Sequence, residues 1–586
     1  MRQVAREVCM VLLVIQLAFA QGNTAKASTR NSKNSNSSQD VSAQLSQMQK
    51  AIDAQQQQIQ RLMEQLQNRD QQIQQLQKQM DQVQNTASQA QQKADSAASE
   101  STTRQKTVGA VKKDVADLKN AVTNTAVALQ ETQKKAGESP IGVKFKGITL
   151  TPGGFLAAES VWRQKGLASD INTPFNSIPM PGSSQSDLSE FFATGRQSRL
   201  SLLAEGKLEQ AKLTGYFESD FLSAATTSNN NESNSYSLRQ RQVWGQASLH
   251  GYSFTAGQMW SLVTETRKGV DNRSEALPMT IDPQYHVGFS WARQYGVRFA
   301  KDFGNKVWLA FSVENPQTTF AAHGNANNFL LGAPGTAGGL FNPTANYSFN
   351  AAPDLVAKAV FEPGWGHFEV FGVVSQFRDR VFPNGTAATP SAAGAFNDSR
   401  TGGGIGANIR GSLFNKHVDI GFHFLGGDGI GRYGTSGLPD ATVRPDGTLA
   451  LIHSYQSLGT LEWHSPRWDF YTNAGGEYAS RTAYLNASAQ GVGYGSPLFV
   501  NTGCDTETLP GINGFTPGAL TNCTADTRNI VEGTGGFWYR FYKGPKGTVQ
   551  FGPQYSYVVR NTWSGVGGNP HGTENMVFTS FRYYLP

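Results

Sequence analysis

From residue 147 to the end of the chain, apolar residues recur at every second position in short runs. Val307, Leu309, Phe311 and Val313 share one face, with Trp308, Ala310 and Ser312 on the other. Ile405, Ala407 and Ile409 oppose Gly406, Asn408 and Arg410, and Val418, Ile420, Phe422 and Phe424 oppose Asp419, Gly421 and His423. Val549, Phe551, Tyr555 and Tyr557 oppose Gln550, Gly552, Gln554 and Ser556. This period predicts half-buried strands. Sixteen can be placed, near 147–162, 196–205, 208–221, 238–249, 252–260, 291–300, 305–314, 355–363, 367–378, 401–413, 416–427, 450–463, 466–480, 529–543, 546–560 and 574–585. One apolar and one polar face fits either a soluble sandwich or a membrane barrel. The connections separate the two. Short turns such as Gly206-Lys207, His250-Gly251, Ser465-Pro466 and Gly544-Pro545 alternate with long loops. Two unlike rims are the arrangement of an outer-membrane barrel.

The N-terminal quarter has a different period. From Leu45 a heptad holds one register through Ile52, Ile59, Leu66, Ile73, Met80, Ala87 and Ala94 to Val108, Val115, Val122 and Leu129, with Met48, Leu62, Leu76 and Val83 among the partner positions. That spacing predicts a coiled coil over 41–136, roughly 130 Å long if continuous at 1.5 Å per residue. A lone helix cannot bury such a seam, so the chain is expected to self-associate. Gln55, Arg69 and Arg104 interrupt the seam. Ahead of it, 21–40 is Ser/Asn/Thr-rich and reads as a disordered linker. Residues 1–20 read as a signal peptide, with Arg2 and Arg6 before an apolar run and Ala18-Phe19-Ala20 at its end. The barrel is expected over 141–586. An even strand count puts both barrel ends on the short-turn rim, and therefore the coiled coil in the periplasm. In 238–249, Arg239 and Arg241 share parity with Val243, Ala247 and Leu249. Both arginines cannot face lipid; a bulge would switch the faces, though the sequence does not show one.

Composition agrees with an exported β protein. The 586 residues include 62 Gly, 34 Phe and 18 Tyr, and the formal charge of +6 is spread without a basic patch, so nucleic acid is not an expected partner. Removal of the signal leaves Cys504 and Cys523, which read as a disulfide, or else as two free thiols. The nine histidines are scattered, with no metal-spaced cluster and no Gly-x-Ser-x-Gly elbow. No enzyme activity, cofactor or metal is expected.

The chemistry of such a barrel lies in its lumen. Parity turns Arg298, Lys358, Arg410, Arg540 and Arg582 inward, together with Glu218, Asp220, Glu362, Glu369, Asp419, Asp469 and Glu477. Both signs occur, so parity alone fixes no ion preference. The loop 261–290 is the candidate constriction and carries Arg267, Lys268, Arg273 and Glu275. Folded inward, its cations would favour anions in a low-dielectric passage. An external, solvated loop is the alternative.

Six stretches resemble the DcaP-like trimeric porins: LTPGGFLAAES (150–160), GRQSRLSL (195–202), SLRQRQVWGQ (237–246), AGQMWS (256–261), EALPMTID (275–282) and RQYGVRFA (293–300). Their order and the preceding coiled coil match that layout as well. The resemblance implies a homotrimer in outer-membrane lipid with a periplasmic stalk, whose partner there would be the cell wall or another periplasmic component. It implies passive uptake of small hydrophilic solutes, often negatively charged ones such as carboxylates. Arg196, Arg199, Arg239, Arg241 and Arg298 then become candidates for a basic ladder along the lumen. Gln240 and Met259 depart from the family pattern. A structural protein that tethers the envelope through its coiled coil is the rival expectation.

Overall fold

A computed structural model describes residues 142–223, 236–324, 329–330, 350–386, 388–510, 514 and 518–586. The chain divides into two units, Met1–Val127 and Ala128–Pro586. The signal peptide, linker and coiled coil expected from the sequence lie outside the described residues.

Sixteen long antiparallel strands form the second unit. They are β1 (Ile148–Arg163), β2 (Arg199–Leu208), β3 (Ala211–Asp220), β4 (Arg239–Leu249), β5 (Tyr252–Trp260), β6 (Arg293–Phe303), β7 (Val307–Glu314), β8 (Asp354–Phe361), β9 (Gly366–Val381), β10 (Phe396–Leu413), β11 (Val418–Asp428), β12 (His453–His464), β13 (Trp468–Ala479), β14 (Thr527–Gly544), β15 (Gly547–Thr562) and β16 (His571–Tyr584). Each pairs with its neighbours in sequence. The ring closes between β1 and β16, from Phe155 opposite Tyr584 to Arg163 opposite Met576. Closure satisfies every strand edge, which a sheet in lipid requires.

Alternation then sorts the side chains. Trp308, Ala310 and Ser312 are 4%, 7% and 1% exposed, whereas Leu309 and Phe311 between them are 40% and 45% exposed. The exposed apolar face continues around the wall in Ile405, Ile420, Phe422, Phe470 and Tyr555. At the short-turn rim it becomes a belt of aromatic rings. Trp468 lies 4.5 Å from Tyr539, and Trp463 lies 5.6 Å from Phe470. Such a girdle suits the boundary between apolar and wet surroundings.

The structure resolves the parity conflict in β4. Glu218 pairs with Gln242 but Ser219 pairs with Gln240, so Arg241 is the extra residue of a bulge. Arg241 and Gln242 both turn inward, each 2% exposed, and Val243 faces outward. Near Gly154 the first strand also adjusts. Gly154 has φ +135°, and a Cβ there would sit 2.1 Å from the Arg199 carbonyl oxygen. Beyond that point β1 pairs with a separate short strand, Glu190–Thr194, instead of β2.

Two small hairpins that period-two reading did not place fold on the long-loop side, Ala441–Val443 with Leu449–Leu451 and Thr482–Leu485 with Gly491–Tyr494. Cys504 and Cys523 are joined by a disulfide in the long connection that follows the second of these.

Candidate functional site

The lumen is not the open tube that strand number alone suggests. The connection from β5 to β6, residues 261–292, folds into it. Its sequence explains why. Leu262, Val263, Val270, Ile281, Val287 and Phe289 are all 5% exposed or less, apolar surface that a solvated outer loop would leave in water. Leu438 and Ile452, from the connection between β11 and β12, and Phe175, from that between β1 and β2, pack over the same interior.

Polar groups of the barrel wall fix the loop at many points. The densest is at Glu369 of β9. Its carboxylate accepts from Lys358 Nζ at 2.7 Å, Asn408 Nδ2 at 2.7 Å, Thr266 N at 3.0 Å and Thr266 Oγ1 at 2.7 Å. His367 Nε2 lies 2.9 Å from the same group. Lys358 also donates to the Thr264 carbonyl at 2.8 Å. Arg410 donates to the Thr266 carbonyl at 2.9 Å and lies 3.5 Å from Glu265. Further round, Glu477 accepts from Gly288 N at 2.9 Å and Glu532 from Val287 N at 2.8 Å. Backbone N–H groups inside the barrel are thereby satisfied by acidic wall residues.

This changes what several expected pore residues do. Lys358 and Arg410 reach the interior, but they hold the loop; the Lys358 side chain is 0% exposed. Arg298 is 4% exposed and donates to Asn272 Oδ1 and to the Trp260 carbonyl, so it clasps the loop to its own starting strand. Arg540 binds Asp469 and the Ser465 carbonyl at the short-turn rim. Arg196 binds Asp170 at 2.7 Å and the Phe221 carbonyl at 3.0 Å, in the loop region of the opposite rim. Arg582 pairs with Glu159 at 2.8 Å.

The remaining cations gather on one side, along β2 to β6. Arg239 makes a two-pronged pair with Asp220, at 2.9 and 2.8 Å. Arg241 reaches Glu218 at 2.6 Å and Asp220 at 2.7 Å. Arg199 lies 3.7 Å from Glu218, with its side chain 24% exposed, over the Phe155 ring. Arg293 joins them, lining one cavity together with Arg239. It lies 5.0 Å from the Trp260 ring and 5.5 Å from the Trp291 ring. Among the described residues its Nε has no hydrogen-bond partner. Four arginines thus face two carboxylates, and Arg293 is the one without an acidic partner. Parity does not find Arg293, because in a strand over 291–300 it shares the outward face of Tyr295 and Phe299. The signal available is its place within RQYGVRFA.

Two cavities flank this group. One of about 710 Å³ lies on the short-turn side, between the β2–β7 wall and the loop tip, and is lined by Arg267, Lys268 and Arg273. Arg267 and Arg273 are exposed there. Arg273 lies 4.8 Å from the Tyr216 ring, and its N–H donates to Glu275 at 3.1 Å. The other, of about 370 Å³, lies toward the long-loop side and is lined by Arg239, Arg293 and Arg432 with Trp291. Both cavities follow the same wall.

Asp282 makes the loop sensitive to pH. It is 2% exposed, its Oδ1 accepts from Gln284 N at 2.8 Å, and its Oδ2 has no partner among the described residues. Burial pushes its carboxyl up from 3.8 to about 7, with the charge of Glu532 adding to the rise. Between those values the folded chain keeps a proton that the unfolded chain has lost. Stability therefore falls as pH rises across that window and levels off above it, by at most about 4 kcal/mol. Asp282→Asn should remove this slope. Thermal unfolding in detergent at pH 5 and pH 8 checks it; equal slopes for both proteins would contradict the assignment.

The barrel is similar to the outer membrane channel DcaP of Acinetobacter baumannii, at 15% identity and a TM-score of 0.52, over 76% of this chain and 99% of that one. It is more distantly similar to an anion-selective porin from Comamonas acidovorans, at 9% identity and a TM-score of 0.38 over 75% and 100% of the two chains. Pseudomonas putida OprB gives 9% identity and a TM-score of 0.40 over 74% and 94%. No family model matches the chain, and no curated protein matches it. The first likeness shows the fold: a sixteen-strand antiparallel barrel.

Proposed function

We propose that this DcaP-type barrel is a porin of the bacterial outer membrane, a passive diffusion channel for small hydrophilic solutes that favours anions such as carboxylates. The observation that carries the reading is the Arg293 guanidinium, which has no acidic partner among the described residues, on a wall that two cavities edged with further cations follow. A solute crossing there passes Arg293, Arg199 and Arg273 in a setting of low dielectric, where each charge acts over several ångströms. The exposed apolar wall supports residence in lipid, and the disulfide suits export to an oxidising compartment. Membership of the DcaP-like family and a trimer joined by the heptad segment 41–136 complete the reading.

Proteoliposome uptake tests it. A small dicarboxylate should enter at least about tenfold faster than a diamine of equal length, corresponding to roughly 1.4 kcal/mol at the narrowest level. Equal rates, or a faster diamine, would overturn the anion preference; no uptake of either would overturn the channel.

A further inference from the structure

The short-turn mouth holds a cluster that the conduction path does not use. His464 ends β12, Glu462 stands two residues before it, and Asp419 is the second residue of β11. Strand alternation brings them together, since Leu461, Trp463 and Ile420 between them face outward. His464 Nε2 lies 3.3 Å from Glu462 Oε2 and 3.5 Å from Asp419 Oδ2. On the other side of the ring, Nδ1 meets Asp469 Oδ1 at 2.9 Å. Asp469 is itself held by Arg540, whose Nη2 donates to it at 3.1 Å. The three side chains are 29%, 17% and 30% exposed, so the cluster is open to solvent from one side.

This geometry has a chemical consequence. Asp469, fixed by a guanidinium, is an acceptor, so Nδ1 carries the ring hydrogen. Nε2 faces two carboxylate oxygens, and the three atoms converge on one point. A proton on Nε2 can fill that point, and a metal ion that displaces the proton meets three donors already in place. Tetrahedral zinc with bonds of about 2.0–2.1 Å has ligand–ligand edges of roughly 3.3–3.4 Å, close to the two separations observed. A carboxylate orienting the far nitrogen is also the usual support of a metal-bound imidazole.

We propose that Asp419, Glu462 and His464 bind a divalent transition metal of the zinc class at the short-turn mouth of the barrel. Water completes the coordination from the open side. Imidazole among the donors selects against calcium and magnesium, which take oxygen ligands in larger number. Sequence spacing could not show the set, because Asp419 is on a different strand from Glu462 and His464.

Calorimetric titration of the tag-free full chain in detergent with zinc chloride at neutral pH tests the proposal. One site is expected, weakened at least tenfold in His464→Gln and in Glu462→Gln. His453→Gln, which alters a histidine paired with Asp428 at the other end of β12, should leave it unchanged. Calcium should give no saturable heat. Cobalt loading should give visible absorption bands that His464→Gln abolishes. Should that variant fail to insert, Asp419→Asn together with Glu462→Gln keeps the imidazole and carries the same expectation. Absence of saturable zinc binding, or binding that these substitutions leave intact, would overturn the site.

Discussion

Replacing Glu369 by alanine should widen the channel. Glu369 accepts from both donors of Thr266 in the loop 261–292, and it holds Lys358, which itself donates to the Thr264 carbonyl of the loop. Its removal leaves the Lys358 ammonium buried without its counterion, which costs about 3–5 kcal/mol. The strand ladder on both sides of Glu369 stays intact, since β9 pairs with β8 and β10 through its backbone. The loss therefore falls on the loop, which should detach on that side and move. Single-channel conductance should rise severalfold, with frequent flicker between levels. Combining Lys358→Met with Glu369→Leu removes the stranded charge and fills the same space with apolar atoms, and should return conductance most of the way toward the parent value. An unchanged conductance in Glu369→Ala, in protein that has inserted and resists heat as the parent does, would show that the loop does not limit the path.

Reversing the charge at Arg293 should abolish anion preference. In Arg293→Glu the local balance shifts by two charges, and the arginine cluster is left with three cations against three carboxylates. A unit charge about 6 Å from the path is worth roughly 3 kcal/mol at an effective dielectric near 20, less after screening by salt. The ratio of anion to cation permeability should fall by at least about tenfold, and by less in Arg293→Gln. The effect should shrink at high ionic strength, because the residue is reached by solvent through the outer cavity. A ratio unmoved by charge reversal would place the path elsewhere. Arg241→Gln is a useful contrast. Arg241 is 2% exposed and locked between Glu218 and Asp220, so its loss should harm folding or loop position more than it alters selectivity.

Most of the barrel was legible in the sequence because two independent signals agreed. Period-two alternation located the strands, and the alternation of short and long connections told a membrane barrel from a sandwich. Boundaries moved by a few residues, as at β10, which begins at Phe396 instead of 401 and so extends farther toward the long-loop rim. The parity conflict of Arg239 and Arg241 called for a bulge in β4, but its position was not legible, because it is set by the register of the opposite strand, here the step between Glu218 and Ser219.

Parity also found charged interior residues without telling paired ones from free ones. Lys358 and Arg410 face inward, as their positions in β8 and β10 require, yet they serve the loop because its backbone needs partners inside the barrel. The inward course of the loop could have been read more strongly from Leu262, Val263, Ile281, Val287 and Phe289, a run too apolar for a solvated surface. Arg293 escaped notice because the predicted strand 291–300 gives it the parity of Tyr295 and Phe299, which face outward. The cluster around His464 escaped for a different reason: its members sit on strands adjacent in space whose register only pairing fixes.

The most direct test of the whole account is current through the purified protein in a planar bilayer, with potassium chloride more concentrated on one side. The account predicts discrete conductance steps and a reversal potential displaced toward the equilibrium potential of chloride. A protein that inserts yet passes no current, or one whose reversal potential moves toward that of potassium, would contradict it.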